Sequence, residues 1–172
     1  MTLENQKRNY TSLIENSFYE FSMQFAALKK AELYKGPDVR WVYTGFPGFN
    51  RIFDAKFDEK TVDARIEEVL EKFKTAKQSA LWFIGPTSTP ADLGKRLLNH
   101  GVIHIDDWSG MALDLTKHEI DTKLPRGMTV EEATDEEGLK LWGQVVSRAF
   151  LVPKFSADQF VQVFAELGTG GR

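Results

Sequence analysis

Between residues 11 and 34 the large apolar side chains recur in steps of four and three: Ile14, Phe18, Phe21, Phe25 and Leu28. That period puts them on one face of a helix over 11–34. Ser12 and Glu15 have the spacing of a capping box near its start, and Gly36-Pro37 stops it. The period then shortens. Residues 39–44 (VRWVYT) are β-branched and aromatic, a strand composition, and Gly45, Pro47 and Gly48 mark a turn. Residues 51–57 alternate, with Phe53, Ala55 and Phe57 on one side and Asp54 and Lys56 on the other. The helical period returns over 61–77 with Val62, Ile66, Val69, Leu70 and Phe73; Thr61 is its N-cap, and Asp63 suits the helix dipole.

Residues 79–85 (SALWFIG) form a short apolar run bounded by turn signals, which predicts an interior strand. Thr89-Pro90-Ala91-Asp92 has the chemistry of a helix start. That helix runs through Leu93, Leu97 and Leu98 to His100-Gly101. Residues 102–106 and 111–115 predict two closing strands, the second alternating Met111, Leu113 and Leu115 with Ala112 and Asp114. A polar stretch, 116–127, reads as a linker. Beyond it the pattern predicts a strand over 128–133, a helix over 135–150 behind the Thr134/Glu137 capping box, and a helix over 156–167 behind Ser156/Gln159. The expected organisation is a first domain over 10–115, a linker over 116–127 and the beginning of a second domain over 128–172.

Composition narrows the chemistry. The chain has 172 residues, 42% hydrophobic and 27% charged, enough for a self-sufficient core. It contains no cysteine, which excludes disulfide scaffolds, cysteine-ligated zinc and thiol catalysis. The net charge of −3, with scattered basic residues, argues against nucleic-acid binding. No apolar stretch approaches the ~18 residues of a membrane span, and the charged first 25 residues do not read as a signal peptide. The expectation is a cytoplasmic protein.

Few residues suggest a reaction. His100 and His104 are separated by the helix-breaking Gly101, so they do not share a face for a metal, and His118 falls in the linker; no metal site is expected. Asp106 and Asp107 are candidates for a general base, and Tyr34 and Tyr43 for a general acid. The alternative for all four is a structural or solvated role. Ser88 and Ser109 have no histidine–acid pair beside them in the sequence. Gly85-Pro86-Thr87-Ser88-Thr89 could cradle an anion, although Pro86 and Pro90 lack amide donors.

The element order to residue 115 is helix, strand, strand, helix, strand, helix, strand, strand. With the segment LGKRLLNHG (94–101 preceded by Leu93) leading into the last two strands, it resembles the GNAT (Gcn5-related) N-acetyltransferase family, and the whole chain resembles the front of a tandem two-domain member. The resemblance implies an α+β fold: a mixed, largely antiparallel sheet with helices on both faces. It also implies acetyl-CoA as cofactor and acyl transfer to an amine as the reaction. The family's Gln/Arg-x-x-Gly-x-Gly/Ala loop would fall on Glu59, Lys60, Thr61, Val62, Asp63 and Ala64. Only Ala64 fits. Glu59 and Asp63 would face a pyrophosphate with like charge, a repulsion of several kcal/mol at ~4 Å before screening. The expectation is therefore a chain that does not bind acetyl-CoA tightly or catalyse alone. The alternative is a non-catalytic ligand-binding or structural domain. Its partner would be a second copy or a C-terminal GNAT half.

Overall fold

The computed structural model describes residues 3–117, 122–150 and 154–168. The chain divides into two compact units, Met1–Ala112 and Leu113–Arg172.

The first unit opens with helix α1 (Leu3–Gln24) and a single 3-10 turn, Phe25–Ala27. Strands β1 (Glu32–Lys35), β2 (Arg40–Tyr43) and β3 (Arg51–Phe53) follow, then helix α2 (Val62–Thr75), strand β4 (Leu81–Trp82) and helix α3 (Leu93–Asn99). The sheet order is β1-β2-β3-β4. The first two pairings are antiparallel, with Tyr34 opposite Trp41 and Trp41 opposite Ile52. The third is parallel, with Arg51 beside Leu81 and Ile52 beside Trp82. This is a mixed α+β sheet. Parallel neighbours need a crossover connection, and α2 supplies it.

Alternation along β3 sends successive side chains to opposite layers. Ile52 joins Val39, Ala55, Phe57, Val62, Ile66, Val69, Phe73, Leu93 and Leu97 in the core beneath α2 and α3. Each large member of that cluster contributes about 1.5–3 kcal/mol by leaving water. Phe53 meets the other layer, where Tyr19 of α1 stacks on it at 5.5 Å between ring centroids. Helices therefore cover both faces of the sheet. Fully buried Asn50 fastens one end: its Oδ1 accepts from the Thr44 amide (2.7 Å) and hydroxyl (3.0 Å), and its Nδ2 donates to the Ser79 carbonyl (2.8 Å). Gly45 and Gly48, at φ +77° and +85°, supply the left-handed turn positions between β2 and β3.

Several expected elements are different in the structure. The helix expected over 11–34 ends at Gln24, and residues 32–35 form β1. Only Tyr34 is half-buried in that strand, so an alternating signal is missing. Ser12 lies inside α1 rather than at its cap. The helix start expected at Thr89-Pro90 falls three residues later, with Asp92 flanking Leu93. Residues 102–106 and 111–115, expected as closing strands, join no sheet; Ile103, Ile105, Met111, Leu113 and Leu115 are exposed. Alternation without a strand to pair with does not make a strand.

The second unit is a helical hairpin of α4 (Glu136–Ala149) and α5 (Lys154–Leu167). Trp142 lies against Phe160 and Phe164 with centroids 6.2 and 5.1 Å away. The helices meet closely at Gly143, where a Cβ would come within 2.6 Å of Val161 Cγ2. Asp135, not Thr134, caps α4, accepting from the Gly138 amide at 2.8 Å. Helix α5 begins at Lys154, before the expected Ser156 cap. Residues 128–133 form no strand, and Met128 and Val130 are exposed.

Candidate functional site

Two places in the first unit have the backbone form that could hold an anion. One is the junction leading into α2; the other is the loop between β4 and α3.

At the first, Asp58 folds its carboxylate back over the entry to α2. Its Oδ1 accepts from the Lys60 amide at 2.8 Å, and its carbonyl accepts from the Thr61 amide at 3.1 Å. Asp residues do this locally because the short side chain mimics a backbone acceptor. Thr61 flanks the helix without a side-chain capping bond. Val62 is completely buried in the α2 core, while Glu59, Lys60, Thr61, Asp63 and Ala64 are exposed. Asp63 points to α3: its Oδ2 lies 2.8 Å from Arg96 Nη1 and its Oδ1 3.0 Å from His100 Nε2. The His100 hydrogen bond, then Arg96, holds the Asp63 carboxyl below the usual aspartate range. Arg96 also holds Asp92 through Nε at 3.0 Å. The six residues 59–64 thus form a helix start closed by Asp58 and tied to α3.

At the second, the Gly85 and Thr87 amides have acceptors within the chain. Glu15 of α1 is buried, and its Oε1 accepts from the Thr87 amide and hydroxyl, both at 3.1 Å. Tyr19 Oη lies 3.4 Å from the same oxygen, and burial first, then the Glu15 charge, pushes its hydroxyl up to about 12. A Cβ on Gly85 would push the Glu15 carboxylate aside. Ser88 Oγ accepts from the Gly85 amide at 3.0 Å. After the loop, Thr89 pairs with the chain beyond β3: its amide donates to Ala55 O (3.0 Å), and its carbonyl accepts from Phe57 N (3.1 Å).

The other sequence candidates are dispersed. Tyr34 stacks on Trp41 at 5.3 Å, and Tyr43 lies against Phe73 at 6.3 Å, both on the α2 side of the sheet. Asp106 accepts from the Asp107 amide, and Asp107 pairs with His104 at 3.1 Å in an exposed segment. Ser109 is exposed. His118 lies outside the described residues. Among the described residues no group of three or more acidic or histidine side chains is placed to hold a metal, and no helix is long and apolar enough to cross a membrane.

Sequence reasoning missed Asp58 and the inward role of Glu15. Asp58 carried a local signal, an aspartate just ahead of a helix cap. Glu15 meets Thr87 across 72 residues of sequence, a separation that no local pattern encodes. No protein-family model, curated protein or solved structure matches the chain.

Proposed function

We propose that the first unit is a degenerate GNAT-type domain: a non-catalytic half of an N-acetyltransferase whose acetyl-CoA loop is carried by a C-terminal half. The observation that carries this reading is that a carboxylate of the chain already accepts an amide at each anion cradle, Asp58 from Lys60 at the entry to α2 and Glu15 from Thr87 at the 85–88 loop. A pyrophosphate at either place would meet the repulsion of that carboxylate. The β3–α2–β4 parallel crossover, with α1 on the opposite face, supports the family resemblance of the frame.

Calorimetric titration of the full chain with acetyl-CoA tests it. The expected result is no measurable binding; a dissociation constant of ~10 μM or tighter, about −7 kcal/mol, overturns it. A second test is to read the coding frame past residue 172. A Gln/Arg-x-x-Gly-x-Gly segment between a strand and a helix supports the tandem arrangement.

A second reading, a structural or dimerising domain, is favoured by the row of exposed apolar side chains at Ile103, Ile105, Trp108 and Met111. An exposed row of this kind marks a covered interface in many proteins. Light scattering of the full chain separates the two: a concentration-dependent dimer supports the second, and a monomer leaves the first.

A further inference from the structure

Arg51 opens β3 and is only 8% exposed. Its guanidinium carbon lies 5.5 Å from the Phe21 ring centroid, 4.8 Å from Phe25 and 5.4 Å from Phe83. Among the described residues no carboxylate pairs with it, and its buried Nε has no hydrogen-bond partner. Burial alone pushes its basicity down, to about 10, which still leaves it charged at neutral pH.

A buried cation normally has an anion beside it, because desolvation of an unpaired charge is among the largest penalties in a folded protein. Aromatic faces attract the guanidinium but accept none of its five N–H groups in the way an oxygen does. A second unsatisfied polar atom lies on α1. Ser22 is fully buried, its Oγ has no partner, and it sits one residue from Phe21 and three from Phe25. Of the walls around Arg51, Phe21 is 43% exposed, whereas Phe25 is 1% exposed.

We infer that Arg51, walled by Phe21, Phe25 and Phe83, is a binding site for the carboxylate of a small apolar acid. The planar fork of a guanidinium matches a carboxylate in two parallel hydrogen bonds. The rings suit an apolar body attached to that carboxylate. A phosphate dianion fits less well, since one guanidinium leaves a charge uncompensated among phenyl rings. The site is distinct from both cradles and holds whether or not the chain belongs to an acetyltransferase.

Sodium benzoate is the probe. It is titrated into the full chain at constant ionic strength while the Arg51 Nε–H resonance is followed by NMR. A saturable shift is expected, and Arg51→Met, which keeps the bulk of the side chain, should weaken it about tenfold or more. Inorganic phosphate at the same ionic strength should give no saturable shift; a response equal to that of benzoate overturns the carboxylate assignment. A benzoate response no larger than that of chloride, or unchanged affinity in a folded Arg51→Met, overturns the site itself. Should Arg51→Met fail to fold, Phe21→Ala keeps the cation and removes the outer wall. Benzoate affinity should then fall severalfold while acetate affinity holds; unchanged benzoate affinity overturns the site.

Discussion

Residues 51–57 and residues 102–115 alternate apolar and polar side chains to a similar degree. Yet Ile52, Phe53, Ala55 and Phe57 are at most 4% exposed, while Ile103, Ile105, Trp108, Met111, Leu113 and Leu115 are between 59% and 88% exposed. The first segment has β2 on one side and β4 on the other, and helices against both faces. The second has no ladder partner among the described residues. Period-two patterning states which face of a segment could be buried. It says nothing of whether a neighbour is present to bury it.

The largest expected effect comes from truncating one side chain in each segment. Phe53→Ala removes a fully buried ring in contact with Tyr19 and should cost about 3–5 kcal/mol. Ile105→Ala removes an exposed side chain and should stay within about ±0.5 kcal/mol. Urea unfolding of the full-length variants measures both. If Ile105→Ala is as costly as Phe53→Ala, residues 102–115 are covered in solution and the contrast collapses, in favour of an interface between copies.

A smaller effect is expected where the packed segment is held by polar groups. Asn50→Ala leaves the buried Thr44 amide and the Ser79 carbonyl without their partner. Unmade buried hydrogen bonds of this kind cost about 1–3 kcal/mol each. Asn50→Asp sharpens the reading: it keeps an acceptor for Thr44 but sets a carboxylate oxygen against the Ser79 carbonyl in a fully buried place. Near neutral pH it should cost at least as much as Asn50→Ala in the same unfolding assay, because a buried charge without a partner is added to the lost donor; a variant as stable as the parent would mean that this end of the sheet is open to water.

The same contrast explains how far the sequence could be read. Helix α2 was legible because Val62, Ile66, Val69 and Phe73 keep a helical period and all four are buried. The end of α1 was not. Phe25 and Leu28 continue the step of three and four, but Phe25 belongs to a 3-10 turn and Leu28 follows it in extended backbone. Strand β1 was hidden for a related reason: it is an edge strand, with Glu32, Leu33 and Lys35 all exposed. Edges carry charge to deter pairing, and so lose the pattern that announces a strand. At the candidate site, the absence of glycines from 59–64 was plain in the sequence. That Asp58 and Glu15 accept backbone amides at the cradles was not, because one role is set by a local turn and the other by a contact between α1 and a distant loop.

The smallest expected effect concerns the surface tie that closes α2 onto α3. Asp63 is an acid whose folded value is depressed, first by the hydrogen bond from His100 and then by Arg96. Its folded form therefore favours the carboxylate more than the unfolded chain does. The resulting stabilisation is complete above the ordinary aspartate value of 3.8 and is lost as pH falls through the depressed folded value. Asp63→Asn removes that contribution, so stability of the variant should fall less steeply than that of the parent over this acidic interval. Asp107 offers the comparison: it pairs with His104 at 3.1 Å, with its side chain 94% exposed. Asp107→Asn should stay within about ±0.5 kcal/mol of the parent, as exposed substitutions do. Denaturant midpoints recorded from pH 6 down to about pH 2, bracketing the usual aspartate range, decide the matter. If the two variants give the same curve, the Asp63–Arg96–His100 tie adds no more than an ion pair on an unpaired segment, and closure of the α2 entry rests on Val62 and Asp58 alone.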